Sequence, residues 1–250
     1  MNILSIDSSN NNLTVALKKG QQVFSSPKLD NQKHLVTLLP QIDKILCVHN
    51  LKLNDIDYLS VVTGPGSFTG VRIGVATAKA FLKVNSNMKA VEINALDMLA
   101  YSSPAVTKST PVKPAIKNMH NKFPSKIEGC CVSSGVCDEL TCFICVIPST
   151  AEKFYAGFYS ANSCEFKKLN EDKLLSKAEL QTLIKSGTPA FCGSNNVVEN
   201  CKIVDIKAQG LINFTEYLIN KGQVCGGREL KPYYLALCQA EENLKLKNKN

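Results

Sequence analysis

Two stretches of the sequence hold residue types that could meet an anion. In "SIDSSN", Asp7 precedes Ser8 and Ser9 at the end of an apolar run. An acid and two hydroxyls there could orient a magnesium-bound water and touch phosphate, or could simply close a strand with a side-chain-to-backbone turn. The second stretch, "VVTGPGSFTGVRIGVATAKAF", sets Gly64, Gly66, Ser67, Phe68 and Gly70 between an apolar run and a helix-like one. Strand, glycine turn and helix N-terminus together aim free N–H groups outward, and the helix dipole favours negative charge there. This is not a Walker loop, which needs Lys and then Ser/Thr after its last glycine, because Val71 and Arg72 follow Gly70. Nor is it G-x-G-x-x-G. Further on, Gly70, Gly74 and Ala78 recur every four residues, with Ala76 and Ala80 beside them. A helix face without side-chain bulk admits another backbone, either from the chain's own sheet or from a second subunit.

Metal chemistry has little to build on. The only histidines are His34, His49 and His120, and no two are spaced as a ligand pair. Cys130, Cys131, Cys137, Cys142 and Cys145 cluster in sequence, yet only the last two have C-x-x-C spacing. Those two fall in an apolar run read as a strand, where alternate residues face opposite sides. No metal site is expected.

The elements that position these residues follow from periodicity. Residues 2–7 read as a strand, and "LTVALKKGQQVFSS" as a hairpin about a Lys-Lys-Gly turn. Leu35, Leu38, Leu39, Ile42, Ile45 and Leu46 recur at helical spacing from Gln32 to Cys47, with Pro40 expected to bend the helix. "DYLSVVTG" reads as a strand, the glycine stretch opens a helix ending near Lys83, "MKAVEI" is another strand and "ALDMLAYS" another helix. After a long gap, "LTCFICVIPS" and "KFYAGFYS" form a hairpin and "SCEFKKL" a third strand. "SKAELQTLIKSG" is a helix with Ser176 and Glu179 as a capping box. "PAFCGS" and "CKIVDI" are strands, and "AQGLINFTEYLINKG" is a helix stopped by Gly222. The coarse order is β-β-β-α-β-α, then a β-β-β-α-β repeat with a closing helix. Two α/β lobes with a ligand cleft between them fit such a repeat.

Composition bounds the rest. With 250 residues, ordinary apolar content and no run near the ~20 apolar residues that span a bilayer, the chain reads as a cytoplasmic globular protein with no membrane role. Its start lacks a positive n-region, and eleven cysteines without secretion signals point to a reducing compartment. Formal net charge is +8, with Lys108, Lys113, Lys117, Lys122 and Lys126 in one segment and Lys245, Lys247 and Lys249 in a tail. These lysines are either solvated positions in loose stretches or a nucleic-acid-facing patch. Residues 102–139 are rich in Pro, Ser and Lys and read as an insertion or linker between a first lobe, 1–101, and a second with a basic tail, 140–250.

Taken whole, "GPGSFTGVRIGVATAKAF" resembles the signature of the TsaB (YeaZ) family of tRNA threonylcarbamoyladenosine biosynthesis. The similarity runs from "ILSIDSSNNNLTVAL" through "HLVTLLPQI" to "VEINALDMLA" and weakens beyond, where "IPSTAEKFYAGFY" and "LKPYYLALCQAEE" still follow the outline. The resemblance implies an actin-like (Hsp70/sugar-kinase, ASKHA) α/β fold of two duplicated βββαβα lobes. It implies a scaffold subunit without independent activity, paired with the catalytic paralogue TsaD and the ATPase TsaE, for threonylcarbamoyl transfer to adenosine 37 of tRNA. The catalytic sister carries two metal-binding histidines one helical turn apart; the matching "INALDML" places Ala95 and Leu99 there, and neither side chain can hold a metal.

The resemblance also implies a paralogue or homodimer contact on His34, Leu35, Leu38, Leu39, Phe68, Gly70, Val71, Gly74 and Ala78. Asp7, Ser8, Ser9, Gly64, Gly66 and Ser67 then form a degenerate nucleotide site. No cofactor is required, and weak ATP or ADP binding stays open. In kinases of this fold a second acid stands where this chain has Ile147, Pro148 and Ser149. An ATP-dependent kinase or metallopeptidase of the same fold is the competing expectation, and a direct tRNA-binding module a third.

Overall fold

The computed structural model describes residues 1–10, 12–27, 34–107, 141–162, 166–193 and 199–235. The first sheet comprises β1 (Asn2–Asp7), β2 (Thr14–Lys19), β3 (Gln22–Ser25), β4 (Tyr58–Gly64) and β5 (Lys89–Asn94), in the order β3-β2-β1-β4-β5. β1 pairs antiparallel with β2 and parallel with β4, and β5 joins β4 in parallel. β1 and β4 are buried nearly throughout because they are central strands covered on both faces.

The second sheet repeats this plan. β6 (Thr141–Pro148), β7 (Lys153–Ala161), β8 (Phe166–Lys168), β10 (Ala190–Cys192) and β11 (Lys202–Ile203) lie in the order β11-β10-β6-β7-β8, and β9 (Lys173–Ser176) also pairs with β7. Directions match strand for strand: β6–β7 and β7–β8 are antiparallel, β6–β10 and β10–β11 parallel. The duplication invisible in residue identity is explicit in topology.

Helices α1 (His34–Val48) and α2 (Phe68–Val84) cover the outer face of the first sheet, and α5 (Lys177–Lys185) that of the second. α3 (Ala95–Tyr101) follows β5, and α4 (Pro104–Thr107) is a single turn. β5 and α3 are the strand and helix read in "MKAVEI" and "ALDMLAYS", which the coarse six-element order leaves out. α6 (Ala208–Asn220) closes the series. The two lobes exchange helices: α3 packs on β6, β7 and β10, while α6 packs on β1, β2, β3 and β5. One apolar cluster, with Ile3, Val62 and Ile93 from the first sheet and Phe143, Tyr159 and Phe191 from the second, encloses both helices. An ion pair between Lys18 and Glu216 ties β2 to α6. After Gly222 the chain returns to the first sheet, where Cys225 bridges to Ala90. Most of the 102–139 stretch and the 245–249 lysines lie outside the described residues.

Candidate functional site at the glycine loop and the inter-lobe cleft

The glycine turn is filled by the chain itself. Ser67 N–H donates to the Ser9 carbonyl at 2.7 Å, and the Ser8 hydroxyl donates to the Gly70 carbonyl at 2.8 Å. A Cβ on Gly66 would lie 2.5 Å from the Ser9 carbonyl oxygen. One on Gly70 would overlap the Ser8 carbonyl, and one on Gly74 the Ser8 hydroxyl, each under 3.0 Å. Gly64, at φ +119°, turns toward the returning C-terminal segment, where a Cβ would lie 2.7 Å from the Tyr233 carbonyl oxygen. The glycines therefore let the Asp7–Asn10 loop and the 231–234 segment press on the turn. Along the bare helix face, Gly70, Val71, Gly74 and Ala78 are buried against the chain's own first sheet and the Ser8 loop.

Asp7 ends β1 as a turn. Its Oδ1 accepts from Ser9 N–H at 2.9 Å and the Ser9 hydroxyl at 2.7 Å, and its Oδ2 from Asn10 Nδ2 at 3.3 Å. Burial pushes its carboxyl above the ordinary value, opposed by those hydrogen bonds and by the nearby His34. An acid already satisfied by its own loop has little left to offer a hydrated metal. At the equivalent end of β6, Ile147 is buried in the shared core and Ser149 and Thr150 form the turn to β7.

The residues expected at a partner contact divide. Leu35 and Leu39 are exposed (72% and 54%), Val36 joins them at 68%, and Phe68 is 37% exposed. Leu38, only 1% exposed, lies instead in the core between α1 and the sheet with Ile42, Ile45 and Leu46. Leu38, Gly70, Val71, Gly74 and Ala78, expected at the same contact, are buried within this chain between the helices and the first sheet. His34 opens α1 beside the Asp7 loop.

A polar network in the cleft between lobes was not legible in the sequence. Asn94 caps α3, its Oδ1 accepting from Leu96 and Asp97 N–H, and its Nδ2 donates to Asp172 at 2.7 Å. Tyr159 donates to Asp97 at 2.7 Å, and Lys168 bridges Asp97 and Asp172 at 2.8 Å each. Burial alone would lower the Lys168 ammonium, but the two carboxylates outweigh it and hold its pKa above the ordinary value. Burial, reinforced by Asp97, pushes the Tyr159 phenol well up. Beside this network a cleft of about 430 Å³ is lined by Thr63, Glu92, Asp97, Glu229, Lys231 and Tyr233. At the adjacent α3, Ala95 and Leu99 are 1% exposed and packed in the apolar core. Cys145, Cys192 and Cys201 lie close together; burial pushes the Cys145 thiol up, and the contact with Cys192 raises that of Cys201. Among the described residues no group of three His, Cys, Asp or Glu side chains could hold a metal ion, and no helix is long and apolar enough to cross a membrane.

Residues 22–123 match the family model for TsaD, tRNA N6-adenosine threonylcarbamoyltransferase. The chain is 31% identical over 122 residues to the tRNA threonylcarbamoyladenosine biosynthesis protein TsaB of Haemophilus influenzae, covering 49% of this chain and 51% of that protein. It is 33% identical over 116 residues to the TsaB of Escherichia coli, covering 46% of this chain and 50% of that one. The chain thus spans about half the length of the curated relatives it matches. The solved structure of YeaZ from Pseudomonas aeruginosa superposes with a TM-score of 0.65 over 94% of this chain and 99% of that one, at 16% identity. The chain is accordingly TsaB/YeaZ-like, in sequence over about half of its length and in its actin-like duplicated α/β fold over nearly the whole of it.

Proposed function

We propose that this chain acts in tRNA threonylcarbamoyladenosine biosynthesis as a non-catalytic subunit. It would pair with a TsaD-type catalytic paralogue and, together with the ATPase TsaE, support threonylcarbamoyl transfer to adenosine 37 of tRNA in the cytosol. The observation that carries this reading is the pairing of a buried, apolar α3 start, Ala95 and Leu99, with an exposed apolar α1 turn, Leu35, Val36 and Leu39. The first lacks ligands where the catalytic sister needs them. The second is costly to leave in water, since each large aliphatic side chain hidden from solvent is worth about 1.5–3 kcal/mol. A homodimer would use the same turn when the paralogue is absent.

The chain needs no cofactor in this reading, and any ATP or ADP affinity is weak, because Ser8, Ser9 and their carbonyls already occupy the glycine turn. The competing kinase reading is disfavoured by the same occupancy. The test is co-purification with the TsaD-type paralogue of the same organism. Leu35→Asp and Leu39→Asp should each lose the paralogue while keeping the wild-type circular dichroism spectrum; full retention by both would reject the surface.

A further inference from the structure

We propose that Phe68, Arg72 and Tyr234 form a clamp for a carboxylate of the protein partner seated on α1 and α2, an inference that rests on the pairing reading above. The Arg72 guanidinium carbon stands 3.7 Å from the Phe68 ring centre and 5.6 Å from that of Tyr234. Its Nε–H donates to the Tyr234 hydroxyl at 2.8 Å, and the two rings pack at 5.0 Å. All three residues are on the surface, Phe68 37% and Tyr234 45% exposed. Among the described residues none of the ion pairs involves Arg72. A flexible cation is thus stacked and oriented with no counter-charge among the described residues. Nε is used by Tyr234, which leaves the two terminal nitrogens as donors in the fork geometry that suits a planar two-oxygen anion.

The surroundings select the anion. The Asp7–Asn10 loop bonds Ser67, the N-cap of α2, and α1 packs against α2 on the same face of the first sheet. On α1, Leu35 and Leu39 are exposed. Farther along, the outer side of α2 exposes Ala76 and Ala80 with Lys79 and Lys83, and no acidic residue occurs in the helix. Close-packing small residues, large aliphatics and cations fit a partner helix face that is apolar and acidic. A nucleic-acid backbone would instead meet a solvated run of cations, without exposed leucines between them.

Tyr234 is positioned from a distance. Tyr233 N–H donates to the Thr63 carbonyl at 2.7 Å, and the segment before it is pinned where Lys231 N–H donates to Glu92 at 3.0 Å. The returning segment thereby supplies half of the clamp, although it is separated from Arg72 by 162 positions in sequence.

The test is calorimetric titration of the purified TsaD-type paralogue into the full chain, with a tRNA transcript as a separate titrant. Arg72→Glu should raise Kd for the paralogue by about 100-fold. Arg72→Lys should raise it by about tenfold, because an ammonium cannot stack or fork. Tyr234→Phe, which keeps the ring and loses the acceptor, should raise it by about threefold. All three should melt as the wild type does, and an Asp or Glu to Lys change on the partner should restore binding of Arg72→Glu. Wild-type affinity in Arg72→Glu, with the wild-type pair intact, overturns the clamp and leaves the pairing standing. Absence of binding by the wild type overturns the pairing and the clamp together. Weakened tRNA binding in Arg72→Glu with unchanged paralogue affinity shows the anion to be phosphate and also overturns the proposal.

Discussion

At Gly70 two opposing terms can be compared. Alanine is the better helix former by about 1 kcal/mol, yet its Cβ would run into the Ser8 backbone carbonyl, which is held by the β1 end and cannot swing away. Overpacking of this kind costs about 1–3 kcal/mol. Gly70→Ala should therefore lower the melting temperature by several degrees; an unchanged or raised Tm would show that the loop yields. Asp7 gives a pH test. Its folded pKa lies above the ordinary value, so the folded state holds the proton to higher pH than the unfolded chain. Its contribution to stability is full below the ordinary carboxylate range and declines as pH rises through it. The stability of the wild type relative to Asp7→Asn should thus improve as pH falls toward that range. A difference that does not vary with pH would mean that Asp7 titrates normally.

Along α1 the outcome depends on which face a leucine occupies. Leu38→Ala should cost about 2–5 kcal/mol, the range for a buried large-to-small change, whereas Leu39→Ala should stay within about 0.5 kcal/mol in the lone chain. Equal losses in chemical denaturation would contradict the orientation of the helix. The position of this helix was legible from leucine spacing, but its direction was not. Leu35, Leu38 and Leu39 look alike in a one-dimensional pattern, and only the sheet decides which of them is covered. Strands β1 and β4, the β2–β3 hairpin and the Ser176–Glu179 capping box were readable because their signals are local. β9 was missed, since "KLLS" directly before a helix cap reads as its lead-in. The cleft network was invisible for another reason: Asn94 and Asp172 are 78 positions apart, and Asp97 is 62 from Tyr159 and 71 from Lys168. No window-based pattern joins them. The glycine stretch was correctly separated from Walker loops, yet its spacing alone did not distinguish a subunit contact from the Ser8–Ser9 backbone that fills it.

The molecule as a whole is two copies of one sheet plan held together by exchanged helices and one shared core. In other members of this architecture a crevice outside the carboxyl ends of the parallel strands is the natural ligand position. Here the Asp7–Asn10 loop and the 231–234 segment crowd that end of the first sheet, and the cleft behind is braced by Lys168 between Asp97 and Asp172. Apolar and cationic groups instead face outward on α1 and α2. Such a distribution suits a protein that works through contact with another. The central claim is therefore best tested by reconstitution with TsaD-type paralogue, TsaE, tRNA, ATP, threonine and bicarbonate, with threonylcarbamoyladenosine quantified by mass spectrometry. The account predicts a full yield only when this chain is present, and none from this chain with the paralogue omitted. Full modification without it, or modification by it alone, would contradict the account.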